Sequence, residues 1–147
     1  MSERDPHGKP LPLDVDCHRQ LADGRWAKQL GRPASDLFKP RPNDHGLLSL
    51  TDGRLRSPEE AWRFAKGRGF GTKGTSTAAA QIYADAETPV SSDPLTADRD
   101  GLDDPAHAVA DFRGVPRKKW GARAKTLRRK SRITFLDPEF DPTPRTD

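Results

Sequence analysis

The seventeen residues PRKKWGARAKTLRRKSR, Pro116 to Arg132, hold nine Lys or Arg and no Asp or Glu. Cationic side chains at this density suit phosphate recognition, because each one set against a phosphate displaces a condensed counterion and makes binding salt-dependent. Arg117, Lys118, Arg123, Lys125, Arg128, Arg129 and Arg132 are the candidate contacts, and nucleic acid is the expected partner. No Asn or Gln interrupts the segment, so the pattern predicts backbone contact without base readout.

The remainder of the chain is acidic by difference. The formal charge of the whole is +4, and subtracting the nine cations of this segment leaves −5. Residues Asp85 to Asp111 carry eight acids and one Arg, directly before the basic run. The alternative to an external partner is therefore internal pairing of the two blocks. Exposed ion pairs contribute only ~0–1 kcal/mol each, so such pairing competes weakly with a true polyanion.

Other residue patterns point to chemistry less strongly. Gly69, Gly71 and Gly74 spell G-x-G-x-x-G, but that fingerprint needs a strand before it and a helix after it, and a helix is expected before it here. Arg68, Phe70 and Lys73 would suit a backbone nest on a phosphate. Asp98, Asp100, Asp103 and Asp104 offer oxygen ligands in a loop whose Gly is misplaced for an EF-hand, so a solvated loop is expected. His7, His18, His45 and His107 lack zinc spacing, and neither a metal nor another cofactor is expected. His107 is the best single candidate for catalysis. On a helix it would be an i, i+4 neighbour of Asp111, while on a strand the two share a face at too great a separation to pair. Ser49 follows DHGLL and has no nucleophile-elbow context, which argues against a Ser/His/Asp hydrolase.

Three function classes follow. The first is a non-enzymatic accessory module that grips nucleic-acid phosphates through a basic C-terminal helix, with Trp120 and Leu127 anchoring that helix to the core. The second is a protein-interaction or immunity-type subunit of a multiprotein bacterial system, using its acidic and basic blocks for complementarity. The third is a small nuclease or group-transfer toxin using His107 with Asp111 or the aspartates near residue 100.

The elements that would carry these residues are read from periodicity and punctuation. A first helix is expected over DCHRQLADGRWAKQL, stopped by Gly31 and Pro33. The Asp52-Gly53 pair between LLSL and RLR predicts a hairpin. In SPEEAWRFAKGRG, Ser57, Pro58 and Glu60 make a capping box, Trp62, Ala61 and Ala65 a buried face, and Gly67 a stop. TSTAAAQIYADAE is expected to be helical. In AHAVADF, alternation places Ala106, Ala108, Ala110 and Phe112 on one face of a strand, the reading favoured here, although Asp104 and Pro105 would also start a helix. Pro116 opens the last helix, whose apolar stripe is Trp120, Ala124 and Leu127. The tail ITFLDPEFDPTPRTD is too rich in Pro to continue it, with Phe135 and Phe140 pinning it to the body.

The 147 residues fit a single domain. Only 32% are hydrophobic and 33% are charged, with mean hydropathy −0.92, so the core must be small. The fold class expected is α+β: a small single domain over residues 15–135, with three or four helices and a short sheet. Flexible tails are expected at 1–14 and 136–147. Cys17 is the only cysteine, which excludes an intramolecular disulfide and a cysteine zinc cage and fits a reducing compartment. The N-terminus lacks the apolar run of a signal peptide, and no stretch is long enough to span a membrane. A cytoplasmic location is expected.

Overall fold

The computed structural model describes residues 8–22, 26–27, 32–97 and 103–140. Along the chain its strands are β1 (Asp16–Ala22), β2 (Trp26–Ala27), β3 (Arg32–Pro33), β4 (Leu47–Asp52), β5 (Thr72–Ala79), β6 (Val90–Ser92), β7 (His107–Asp111) and β8 (Arg132–Leu136). β2 and β3 pair with each other, and the other six form one antiparallel sheet in the order β6-β7-β4-β1-β5-β8. Three α-helices lie among the described residues: α1 (Pro58–Gly67), α2 (Ala80–Asp85) and α3 (Trp120–Lys130). A short sheet with three or four helices is therefore the wrong balance. The chain stays within the mixed α+β class, but its sheet dominates.

The excess of sheet comes from segments expected to be helical or irregular. DCHRQLA, the start of the expected first helix, is β1, the strand that pairs with both β4 and β5. Its alternation puts Cys17 and Leu21, both 0% exposed, in the core and turns His18 and Gln20 to the other face. Tertiary pairing outweighs local helix propensity here. TKGTSTAA is likewise strand β5, with Thr75 and Thr77 on one face and Ser76 and Ala78 on the other, and only Ala80–Asp85 is helix. The residues after Pro116 start with a 3₁₀ turn, Arg117–Lys119, before α3 begins. RITFL, to which the sequence pattern assigns no strand, is β8.

The expected hairpin at Asp52-Gly53 is absent. Asp52 is buried, accepts the backbone N–H of Arg54 at 2.9 Å and binds its guanidinium at 2.8 Å. That side-chain turn steers the chain toward α1, and β4 takes β1 and β7 as partners. The α1 start is as expected: Ser57 Oγ accepts from Glu60 N at 3.1 Å and Glu60 Oε1 from Ser57 N at 2.8 Å. AHAVADF is a strand segment, and Ala106, Ala108, Ala110 and Phe112 are all buried.

The two faces of the sheet differ in kind. One carries Cys17, Leu21, Leu48, Leu50, Ala78, Ala108 and Ala110 against Leu37, Phe38, Tyr83, Phe112, Ala124 and Leu127, and this is the core. Burial raises the Cys17 thiol to about 12, with the nearby Asp52 and Asp16 carboxylates adding to the effect, so it packs as a small apolar group. On the other face the strand registers set His107, Thr51, His18, Thr77 and Arg132 side by side across five strands. α1 covers part of that polar row: Thr75 Oγ1 donates to Pro58 O at 2.9 Å, and Trp62 meets Phe135 at 4.9 Å between ring centroids.

The edges are managed differently. At β6, Gly8 N donates to Ser92 O at 2.9 Å and Leu11 N to Val90 O at 3.0 Å, so residues 8–11 cover that edge. At β8, the register shifts between Thr75 and Ser76 and Arg132 is exposed, two features that discourage a further strand.

Leu127, 0% exposed where α3 packs into the core, tests that core. Leu127→Ala is expected to cost about 2–5 kcal/mol in urea unfolding with an unchanged m-value. A cost below about 0.5 kcal/mol would mean that α3 is not docked as described.

His18 tests the polar face. Its Nε2 donates to Arg56 O at 3.0 Å, which leaves Nδ1 to accept from Thr77 Oγ1 at 2.8 Å. Burial holds its pKa below 6.5, although the Arg56 hydrogen bond and nearby carboxylates pull the other way. The unfolded chain therefore binds the proton more readily, and stability must fall as pH drops below 6.5, by at most about 1.4 kcal/mol per pH unit for one proton. A second loss is expected below pH 3.8. There burial raises the Asp52 and Asp111 carboxyls, but bonds to Arg54 and Arg113 outweigh it and hold both below that value. Urea titrations from pH 7 to 3 should show the first loss in the parent and not in His18→Gln; an identical slope in both proteins would exclude His18 as its source.

Candidate functional site

α3 owes its geometry to the stripe that docks it. Ala124 and Leu127 are buried, and Trp120 meets Phe112 edge-on at 5.6 Å while its indole N–H donates to Val115 O at 2.8 Å. With that stripe fixed, Lys125, Arg128 and Arg129, spaced i, i+3 and i+4, fall on one flank of the helix. They border an open groove of about 490 Å³ between α3 and the neighbouring strands. Pro33, Phe38 and Ile133 supply its apolar lining, and Ser76 and Ser131 add hydroxyls. Ile133 is 41% exposed, so apolar surface lies open between cations.

The remaining candidates divide by position. Arg123, on the opposite flank, pairs with Glu87 and has a buried Nε without a partner. Arg132, on β8, approaches Asp16 at 4.0 Å with both side chains largely exposed. The Arg117 guanidinium sits 5.1 Å from the Trp120 ring centroid, and Lys118 is exposed. Lys118, Lys125, Arg128 and Arg129 meet no carboxylate within ion-pair distance among the described residues.

The acidic block finds its partners elsewhere. Asp104 pairs with Arg56 at 2.5 Å, Asp111 with Arg113 at 2.9 Å and Asp93 with His107 at 3.4 Å. Of its described acids, Glu87 alone reaches the basic segment. Glu87 does so from a left-handed backbone, φ +64°, just past the end of α2. Asp98 and Asp100 lie outside the described residues, as does His7. Asp103 accepts the backbone N–H of Ala97 at 2.9 Å, and its carbonyl accepts Arg68 Nη2 at 3.1 Å. Among the described residues no group of three or more His, Cys, Asp or Glu side chains is placed to hold a metal ion.

The glycine-rich loop runs from a helix into a strand, the reverse of the dinucleotide fingerprint. Gly69 takes a positive φ of 87° after α1. Gly74 lies inside β5, where a Cβ would collide with the Phe135 carbonyl. These glycines serve a helix stop and a close strand approach.

His107 is on β7, so the helical His107/Asp111 pair does not form. Its Nδ1 lies 2.9 Å from the Asp93 carbonyl oxygen and 3.4 Å from the Asp93 carboxylate, and its Nε2 lies 3.1 Å from Ser49 Oγ. Ser49, set aside on sequence context, is thus joined to a histidine and an aspartate. Register joins them: Thr51 opposes His107 and Ser49 opposes Val109, so Ser49 and His107 are diagonal neighbours on one face. Strand alternation marks each residue's face, but nothing local to either stretch specifies that β4 pairs with β7.

Among the described residues, no helix is long and apolar enough to cross a membrane. No family model, curated protein or solved structure matches the chain.

Proposed function

We propose that this protein contacts nucleic acid through phosphates held on the Lys125, Arg128 and Arg129 flank of α3, with Arg117, Lys118 and Arg132 extending the cationic surface at its ends. The observation that carries this reading is the unpaired state of the flank, since three closely spaced cations beside an open groove have no described carboxylate to answer them. Arg123 contributes less, because Glu87 already opposes its charge. Ser76 and Ser131 spend their hydroxyl protons on Arg132 O and Leu127 O, so their oxygens face the groove as acceptors and the cations dominate recognition. Arg and Lys can bond guanine edges as well as phosphates, but no Asn or Gln stands among these cations to read adenine, so phosphate contact is the main term proposed.

Fluorescence anisotropy with duplex and single-stranded probes across a salt series tests the reading. Each phosphate contact adds about −0.9 to the log–log salt slope on duplex and about −0.7 on single strands, so Lys125→Ala/Arg128→Ala/Arg129→Ala should be shallower by roughly 2–3. Arg123→Ala should leave the slope nearly unchanged. Binding that ignores salt, or a triple variant that binds like the parent, overturns the proposal. A protein partner retained by the parent with no affinity for either probe would do the same, in favour of the interaction class.

A further inference from the structure

We propose that Ser49, His107 and Asp93 form a nucleophilic centre that accepts an acyl group from an ester. It lies on the sheet face opposite the core, whereas the cationic groove opens on the core side, so neither reading depends on the other.

The argument rests on where one proton must sit. A carbonyl oxygen only accepts, so the 2.9 Å contact between His107 Nδ1 and Asp93 O puts the ring proton on Nδ1. Nε2 is then the lone-pair nitrogen, and across 3.1 Å the Ser49 hydroxyl donates to it. This is the arrangement in which a serine oxygen can lose its proton as it attacks. The Asp93 carboxylate, 0% exposed and 3.4 Å from Nδ1, faces the positive charge that the ring gains at that moment. Asp93 is also held to His107 through the backbone, its N–H donating to the His107 carbonyl at 2.9 Å, so acid and base move as a unit. Ser49 is exposed, and its carbonyl accepts Arg19 Nη1 at 3.0 Å, which fixes the backbone that carries the nucleophile.

In the reaction Ser49 Oγ bonds to the ester carbonyl carbon and its proton passes to His107 Nε2. The bond from that carbon to the alcohol oxygen breaks, and the departing oxygen takes the proton from Nε2. Water then gives a proton to Nε2 and attacks the acyl-serine; Oγ departs and recovers that proton, releasing the carboxylic acid. Ester and water are consumed, acid and alcohol are formed, and no oxidant or cofactor is needed. The open setting of Ser49 suits small, activated esters.

A fluorophosphonate probe reads the same nucleophile, because Oγ displaces fluoride from phosphorus and leaves a stable adduct. The folded protein should be labelled at Ser49 in peptide mass spectrometry and should hydrolyse p-nitrophenyl acetate. Ser49→Ala should abolish the adduct, and His107→Gln should slow labelling on the order of a hundredfold or more while the circular dichroism spectrum is retained. Ser49→Ala is a surface change and controls for folding. The proposal is overturned by an unlabelled Ser49 under excess probe, or by labelling that proceeds at the parent's rate in folded His107→Gln. The nucleic-acid titrations of the groove variants are unaffected by either result.

Discussion

The register of β1 between β4 and β5 decides where every functional group lies. Cys17 opposes Asp52 and Ala78, while His18 opposes Thr51 and Thr77. A slip of one residue would exchange the faces, sending His18 toward Leu48, Leu50 and Leu127 and exposing the thiol and Leu21 to the polar side. A buried polar group left without partners costs about 1–3 kcal/mol, and His18 would lose both of its hydrogen bonds at once. Gly53 helps to lock the register: its N–H donates to Asp16 O at 2.8 Å, and a Cβ there would stand 2.5 Å from that oxygen. The pleat then propagates across β4 to β7, which is how a serine and a histidine 58 residues apart meet.

The same alternation separates the charges. Acids that end up beside the sheet take local cations: Asp52 takes Arg54, Asp111 takes Arg113, each two residues on. Such short loops close at little entropic cost, so they outcompete distant cations for the same carboxylate. The basic segment comes late in the chain, and α3 docks by Trp120, Ala124 and Leu127 with its cations on the remaining sides. One flank meets Glu87, and the other borders the groove. Adjacency in sequence of an acidic and a basic block does not produce their neutralisation; Asp93 and Asp104 are buried beside His107 and Arg56 and Asp111 takes Arg113, while the cations ride on the outer surface of a helix.

Local signals were legible wherever one element supplied its own determinants. The capping box of Ser57 and Glu60, the strand alternation from Ala106 to Phe112 and the stripe of α3 all appear as read. The failures share a cause. DCHRQLA and TSTAA contain good helix formers, and they become strands because each is sandwiched between neighbours contributed by remote segments. ITFL reads as tail because of the prolines after it, but its residues pair with β5 before those prolines are reached. The candidate cations were visible from composition, while the division of them between a paired and an unpaired flank needed the position of Glu87. Serine nucleophiles often occupy a strained turn, and a serine within a strand such as Ser49 in β4 carries no such mark in the sequence.

The two best-placed histidines show how burial sorts similar chemistry into different uses. In both, a backbone carbonyl fixes the tautomer: Arg56 O takes the Nε2 proton of His18, and Asp93 O takes the Nδ1 proton of His107. In both, the other nitrogen accepts from a hydroxyl, Thr77 in one case and Ser49 in the other. His18 and Thr77 are 3% and 1% exposed, so no substrate reaches the pair, which ties β1 and β5 to the turn at Arg56 that leads into α1. The Ser49 hydroxyl is open to solvent, with a carboxylate on the far side of the ring. Among the described residues no carboxylate lies within ion-pair distance of the His18 ring, whereas the Asp93 carboxylate stands 3.4 Å from His107 Nδ1. The proposed nucleophile therefore sits at the end of the polar row, where β7 and β4 lie beyond the cover of α1.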